Sequence, residues 1–176
     1  MLITKKSIIG IIKLSGIISS ESRLGSKSGL NLNDTSDSLT KAFTTKNIRA
    51  VILLINSPGG SPVQSALIAN RIRELSKENN IPVYSFIEDL AASGGYWLSC
   101  AADKIYAMES SIIGSIGVIT SGFGAVEAIK KVGIERRVYS QGKNKGLLDP
   151  FLPEKKEDIQ QIITIQKDLH NQFISW

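Results

Sequence analysis

Among 176 residues the chain has one cysteine, Cys100, and one histidine, His170. A lone cysteine can make no intrachain disulfide and, with no second thiol near it, no thiolate metal site. It is expected as a small buried side chain. No His/Cys/carboxylate cluster has metal-ligand spacing, so no metal is expected, and the absence of a Walker-type Gly-Lys-Ser/Thr and of a dinucleotide glycine fingerprint leaves no cofactor implied. No apolar run approaches the roughly 20 residues that span a bilayer. The longest near the N-terminus, Ser7 to Leu14, is short and β-branched and reads as a buried strand. No small-residue cleavage site marks a signal peptide.

What remains is an ordinary globular composition, 42% hydrophobic with a mean hydropathy of +0.04. The length fits one domain, taken as 1–176, and the expectation is a soluble chain of undetermined compartment. The net charge of +5 comes from scattered basic pairs such as Lys130-Lys131, several of them interrupted by acids. No nucleic-acid-binding stripe emerges, so no nucleic-acid partner is expected.

Strand patterns alternate with helix patterns, which predicts βαβ crossovers and a mostly parallel sheet. Strands are expected at Ile8–Leu14, Arg49–Ile55, Ile81–Ile87, Lys104–Met108 and Ile134–Tyr139. The Arg49–Ile55 run is continuously apolar, as in a central strand covered on both faces. Helices are expected at Thr35–Ala42, from Ser61 to about Ser76, at Ala92–Ala101, at Ala125–Val132 and from Pro153 onward. Ser61-Pro62-Val63-Gln64 combines a Ser cap, Pro in the first turn and Gln three residues on, a capping box. The polar segment 19–33 is expected as a mobile surface loop. Ser-Ile-Ile-Gly occurs at Ser7 and again at Ser111, too short to count as a repeat. The terminal helix stops at Trp176 in mid-stripe, which predicts a truncated chain or a face meant for a partner.

Two strand-end turns carry the chemistry. Ala91-Ala92-Ser93-Gly94-Gly95-Tyr96 places a serine among small residues at the start of a helical pattern. On local sequence alone the first role for Ser93 is an N-cap; the second is a nucleophile with room for a substrate backbone on either side. Asn56-Ser57-Pro58-Gly59-Gly60-Ser61 can turn backbone N–H groups toward a ligand, or can be a plain strand-to-helix turn. An acyl-transfer serine needs both a base and preset oxyanion donors. His170 lies deep in the terminal helix, so the base is sought among lysines, whose pKa falls on burial. The loop from Ser140 to Phe151 offers Lys143 and Lys145.

In order, Asn56-Ser57-Pro58-Gly59-Gly60, Ala92-Ser93-Gly94-Gly95-Tyr96, Gly114-Ser115-Ile116-Gly117-Val118 and Gly142–Lys145 with Asp149-Pro150-Phe151 resemble the signal peptide peptidase A (protease IV, SohB-like) family. The resemblance covers nearly the whole chain. It implies an α/β fold of the Clp-protease/crotonase-like kind, with repeated β-β-α/βαβ units and helices flanking a mostly parallel sheet. It also implies a Ser-Lys dyad hydrolysing remnant signal peptides or other membrane-associated peptides. Ser93 matches the nucleophile and Lys145 the general base; Lys143 is the second choice, because Asn144 stands where the family usually has an aromatic residue. Gly60 and Gly94 match the oxyanion donors, and Gly59, Gly114, Ser115, Ile116 and Gly117 the substrate groove. The family implies a homo-oligomer whose active sites are shared between copies, and membrane association through regions absent here. Two other readings stay open: a crotonase-like acyl-CoA enzyme, and an inactive relative that binds peptides.

Overall fold

The computed structural model describes residues 6–20, 29–142 and 145–176. The chain divides into two compact units, one running to Ile116 and joined by Trp176, the other Gly117–Ser175.

In the first unit, strands β1 (Ile8–Ser15), β2 (Ile48–Ser57), β3 (Val83–Ala92) and β4 (Lys104–Ala107) lie in that order, all pairs parallel. β4 pairs with the first half of β3, while a further strand, β5 (Ile112–Gly114), pairs with its last three residues, Leu90–Ala92. β2 is internal, as its composition predicts, but it is not covered equally. Val51, Leu53 and Ile55 are fully buried, whereas Ile52 and Leu54 on the opposite face are only half-buried. The alternation arises because helices α1 (Leu32–Thr44), α2 (Pro62–Asn79) and α3 (Gly94–Ser99) share one core with the buried face, through Leu39 and Phe43, through Ile68, Ile72 and Leu75, and through Leu98.

Sequence signals set the element ends. Ser61 Oγ accepts from the Gln64 N–H, capping α2 as expected, with Pro62 in its first turn. The reciprocal half of the capping box does not form. Gln64 Oε1 instead accepts from the Leu32 N–H, so it also serves the start of α1, and the Ser61 N–H donates to Ile18 O. α1 begins at Leu32, within the segment expected as a loop, because Asn31 caps it by accepting from the Asp34 N–H. Within that expected loop, residues 21–28 lie outside the described residues.

The second unit carries α4 (Val126–Lys131) and α5 (Lys156–Ile174). The strand expected over Ile134–Tyr139 does not form. Its β-branched residues satisfy a strand pattern, but a strand needs a neighbour for its backbone groups, and no strand occurs among the described residues of this unit. Gly133, at φ +73°, instead turns the chain out of α4, and the Ile134 N–H donates to Ile129 O.

Candidate active site

β2 and β3 are adjacent and parallel, so the turns leaving them toward α2 and α3 emerge at the same sheet edge, where open α/β sheets place their ligands. Both turns are tightly built. The buried Ser57 hydroxyl donates to Gly16 O and accepts from the Gly59 N–H, tying the end of β2 to the turn after β1. Gly59, at φ +90°, lies against the second turn: a Cβ there would stand 2.6 Å from Gly94 N and 2.9 Å from Ser93 Cβ. Gly60, at φ +143°, is pinned from both sides, because the Ile18 N–H donates to Gly59 O and the Ser61 N–H donates to Ile18 O. In an extended chain successive peptide groups alternate direction, so with Gly59 O and Ser61 N turned to Ile18, the Gly60 N–H faces the other way.

Ser93 stands between β3 and α3, not within the first turn of a longer helix as expected. Its backbone has φ +51° and ψ −121°, the first central position of a type II′ turn, which non-glycine residues occupy only under constraint. The constraint is visible: its N–H donates to Gly114 O at 2.7 Å, and Gly94 and Gly95 pass so close to Ser65 Oγ and Ser57 O that a Cβ on either would clash. The hydroxyl does not cap α3, which has no side-chain cap at all, and it makes no hydrogen bond among the described residues. Ser93 is half-buried. The N–H groups of Gly60 and Gly94 likewise have no acceptor among the described residues. A sharp strand-to-helix turn that holds a serine at positive φ, next to backbone N–H groups without acceptors among the described residues, has the geometry of a nucleophile elbow.

Of the other expected site residues, Gly114 meets Ser93 directly, with Ser115 (φ +55°) and Ile116 following it, both exposed. Gly117 and Lys145 belong to the second unit. Lys145 is exposed, its N–H donating to Gly142 O, and Lys143 lies outside the described residues. His170 is on α5, half-buried. Cys100 is half-buried rather than fully buried; burial pushes its thiol pKa up, and a hydrogen bond with Tyr96 partly offsets this. Ile18 was not singled out from sequence. Its place in a short Gly-Ile-Ile-Ser run after β1 was the available signal.

The fold and the two turns define an α/β protein with a strained serine, its hydroxyl without a hydrogen bond among the described residues, at the edge of a parallel sheet. Residues 75–176, more than half of the chain, match the model of peptidase family S49. The chain belongs to that family, whose fold is Clp-protease-like. It is 34% identical over 173 residues to a putative signal peptide peptidase SppA of Enterococcus faecium, covering 98% of this chain and 49% of that protein. It is 43% identical over 96 residues to protease 4 of Haemophilus influenzae, covering 54% of this chain and 15% of that protein. A protein of Brucella melitensis named Na(+)/H(+) antiporter NhaA is 53% identical over 145 residues, covering 82% of this chain but only 20% of that protein. The chain thus spans half or less of these relatives. No helix among the described residues is long and apolar enough to cross a membrane.

Proposed function

We propose that this chain is a serine endopeptidase in which Ser93 attacks the scissile carbonyl, Lys145 takes its proton, and the Gly60 and Gly94 N–H groups hold the oxyanion. The observation that carries the reading is Ser93 itself. Its backbone is held where a serine is strained, and among the described residues its hydroxyl has no hydrogen bond and the N–H groups of Gly94 beside it and of Gly60 in the turn that abuts it have no acceptor. Such donors act on the charge that develops on the carbonyl oxygen, and removing one costs about 10²–10³-fold in kcat. Membership of S49 favours hydrolysis over acyl-CoA chemistry.

Lys145 as base rests on the family motif and on its place in the loop closed by Asp149-Pro150-Phe151. A general base must be uncharged when it takes the proton; Lys145 is exposed in the single chain, and in this reading it is covered by further copies or by a bound peptide, since burial favours the neutral amine. Gly59, Gly114, Ser115, Ile116 and Gly117 line the route of the peptide backbone in this reading. Peptides left in or near membranes, remnant signal peptides among them, are the substrate class, in keeping with the name of the Enterococcus relative.

The test is hydrolysis of an internally quenched Leu/Ala peptide by the wild type, Ser93→Ala, Lys145→Ala and Lys143→Ala across pH. Activity should vanish in the first two variants, persist in the third, and rise with pH as the base loses its proton. Loss with Lys143→Ala but not Lys145→Ala would reassign the base; equal rates in all four would sink the mechanism.

A further inference from the structure

The second unit holds its loops with little apolar burial. Among its described residues only Phe173 is buried, and in the loop from Arg136 to Asp149 the described residues are exposed apart from the half-buried Leu147, Leu148 and Asp149. What closes it is a polar knot. Arg136 Nε and Nη2 donate to Asp149 Oδ2 at 3.2 and 3.0 Å, and Asp149 Oδ1 accepts from the Phe151 N–H at 3.0 Å. The guanidinium lies over the Phe151 ring, 5.9 Å from its centroid, and the intervening Pro150 O accepts from the Ala125 N–H at 2.7 Å, fixing the segment to the start of α4. The Phe151 N–H, aided by Arg136, holds the Asp149 carboxyl below the usual carboxylate range.

Lys145 lies inside this closed loop, four residues before the knot. Its own N–H donates to Gly142 O; the next turn is closed by Asp149 N–H on Gly146 O, and the following one by Leu152 N–H on Asp149 O. From Lys145 the backbone thus reaches Asp149, and with it the pair to Arg136, through the turn closed by Asp149 N–H on Gly146 O. An isolated surface ion pair contributes little to stability. Here both carboxylate oxygens are used and the Asp149 side chain is only 9% exposed, which suits a device that fixes geometry.

We propose that Arg136 is a positioning residue for Lys145, acting through Asp149 and Phe151 to fix the conformation of the loop that carries the base. The inference rests on the Ser93–Lys145 reading above. Arginine suits the role where lysine would not, because its planar fork pairs one carboxylate through two N–H groups while its face stacks on an aromatic ring.

The experiment compares the full chain with Arg136→Ala, Arg136→Lys, Asp149→Asn and the double variant Arg136→Ala/Asp149→Asn, with Ser93→Ala and Lys145→Ala as references, on the internally quenched Leu/Ala peptide across pH. A base misplaced by about 1 Å loses about 100-fold, so Arg136→Ala should lower kcat about ten- to a hundredfold with KM within about twofold, and move the rising limb of the pH profile. Arg136→Lys should fall between it and the wild type. The double variant should be no worse than the poorer single one, because the two residues act as a unit. Unchanged kcat in Arg136→Ala, or losses that add in the double variant, would overturn the inference; should Arg136→Ala not fold by circular dichroism, unchanged kcat in Arg136→Lys does the same. If Ser93→Ala and Lys145→Ala are dead while Arg136→Ala is fully active, the dyad survives and the positioning role fails. Activity surviving in Lys145→Ala removes both.

Discussion

Gly60→Ala offers a sharp test of the oxyanion assignment, because the structure says how far the backbone must move. A Cβ built on Gly60 stands 2.0 Å from Ile18 O and 2.9 Å from Ile18 C, both backbone atoms that cannot swing aside. Ordinary contact at 3.4 Å or beyond requires the two segments to part by more than about 1 Å, and displacement of that size at a reacting centre costs about 100-fold. The φ of +143° adds about 1–3 kcal/mol of strain for any side chain, which a folded domain of ordinary stability survives. Parting the segments also breaks the bonds from Ile18 N to Gly59 O and from Ser61 N to Ile18 O that aim the Gly60 N–H. The expected result is a fall in kcat of about 10²–10³-fold with KM little changed, in a protein that still melts cooperatively. Gly122→Ala is the control, since nothing lies within 4 Å of its Cβ position and its φ is not in the left-handed range. Peptide hydrolysis and labelling of Ser93 by a fluorophosphonate, read beside a thermal melt, make the measurement. A folded Gly60→Ala protein with kcat within about threefold of the wild type would refute Gly60 as a donor.

Two further outcomes follow from the core and from the single thiol. Ser85, fully buried on β3, has a hydroxyl with no hydrogen-bond partner among the described residues, so Ser85→Ala should raise stability by about 1 kcal/mol in urea titration; a loss of stability would mean the hydroxyl is satisfied in solution. Burial raises the Cys100 pKa above the ordinary thiol value, about 9, so the folded chain prefers the neutral thiol. Stability from this group is therefore present below pH 9 and lost as pH rises through the folded value. Iodoacetamide at pH 8 should alkylate Cys100 more slowly in the native chain than in urea, and equal rates would contradict the burial.

The parts of this molecule that were legible in its sequence are those fixed by neighbours along the chain. The β2 run, the Ser61 cap and the α5 stripe each satisfy a local rule, and each appears within a few residues of its expected place. β5 was missed although Ser111-Ile112-Ile113-Gly114 repeats the letters Ser7-Ile8-Ile9-Gly10 of β1; three residues make a strand only when the end of β3 is free to pair with them. The converse failure is Ile134–Tyr139, strand-like in composition but without a partner strand in its unit. Ser93 shows the limit most clearly. Local preference makes a serine before a helix an N-cap, yet its cap bond is absent, because Gly114 O, Gly59 and the close passage of Gly94 and Gly95 over Ser65 and Ser57 force its backbone to φ +51°. Those contacts come from three other parts of the chain, and no window around residue 93 contains them. A cap would have satisfied the hydroxyl; the strained backbone leaves it without a hydrogen bond among the described residues. The conflict between local preference and observed conformation at Ser93 is therefore itself a pointer to function, since strain of this kind persists only where surrounding structure over-determines it.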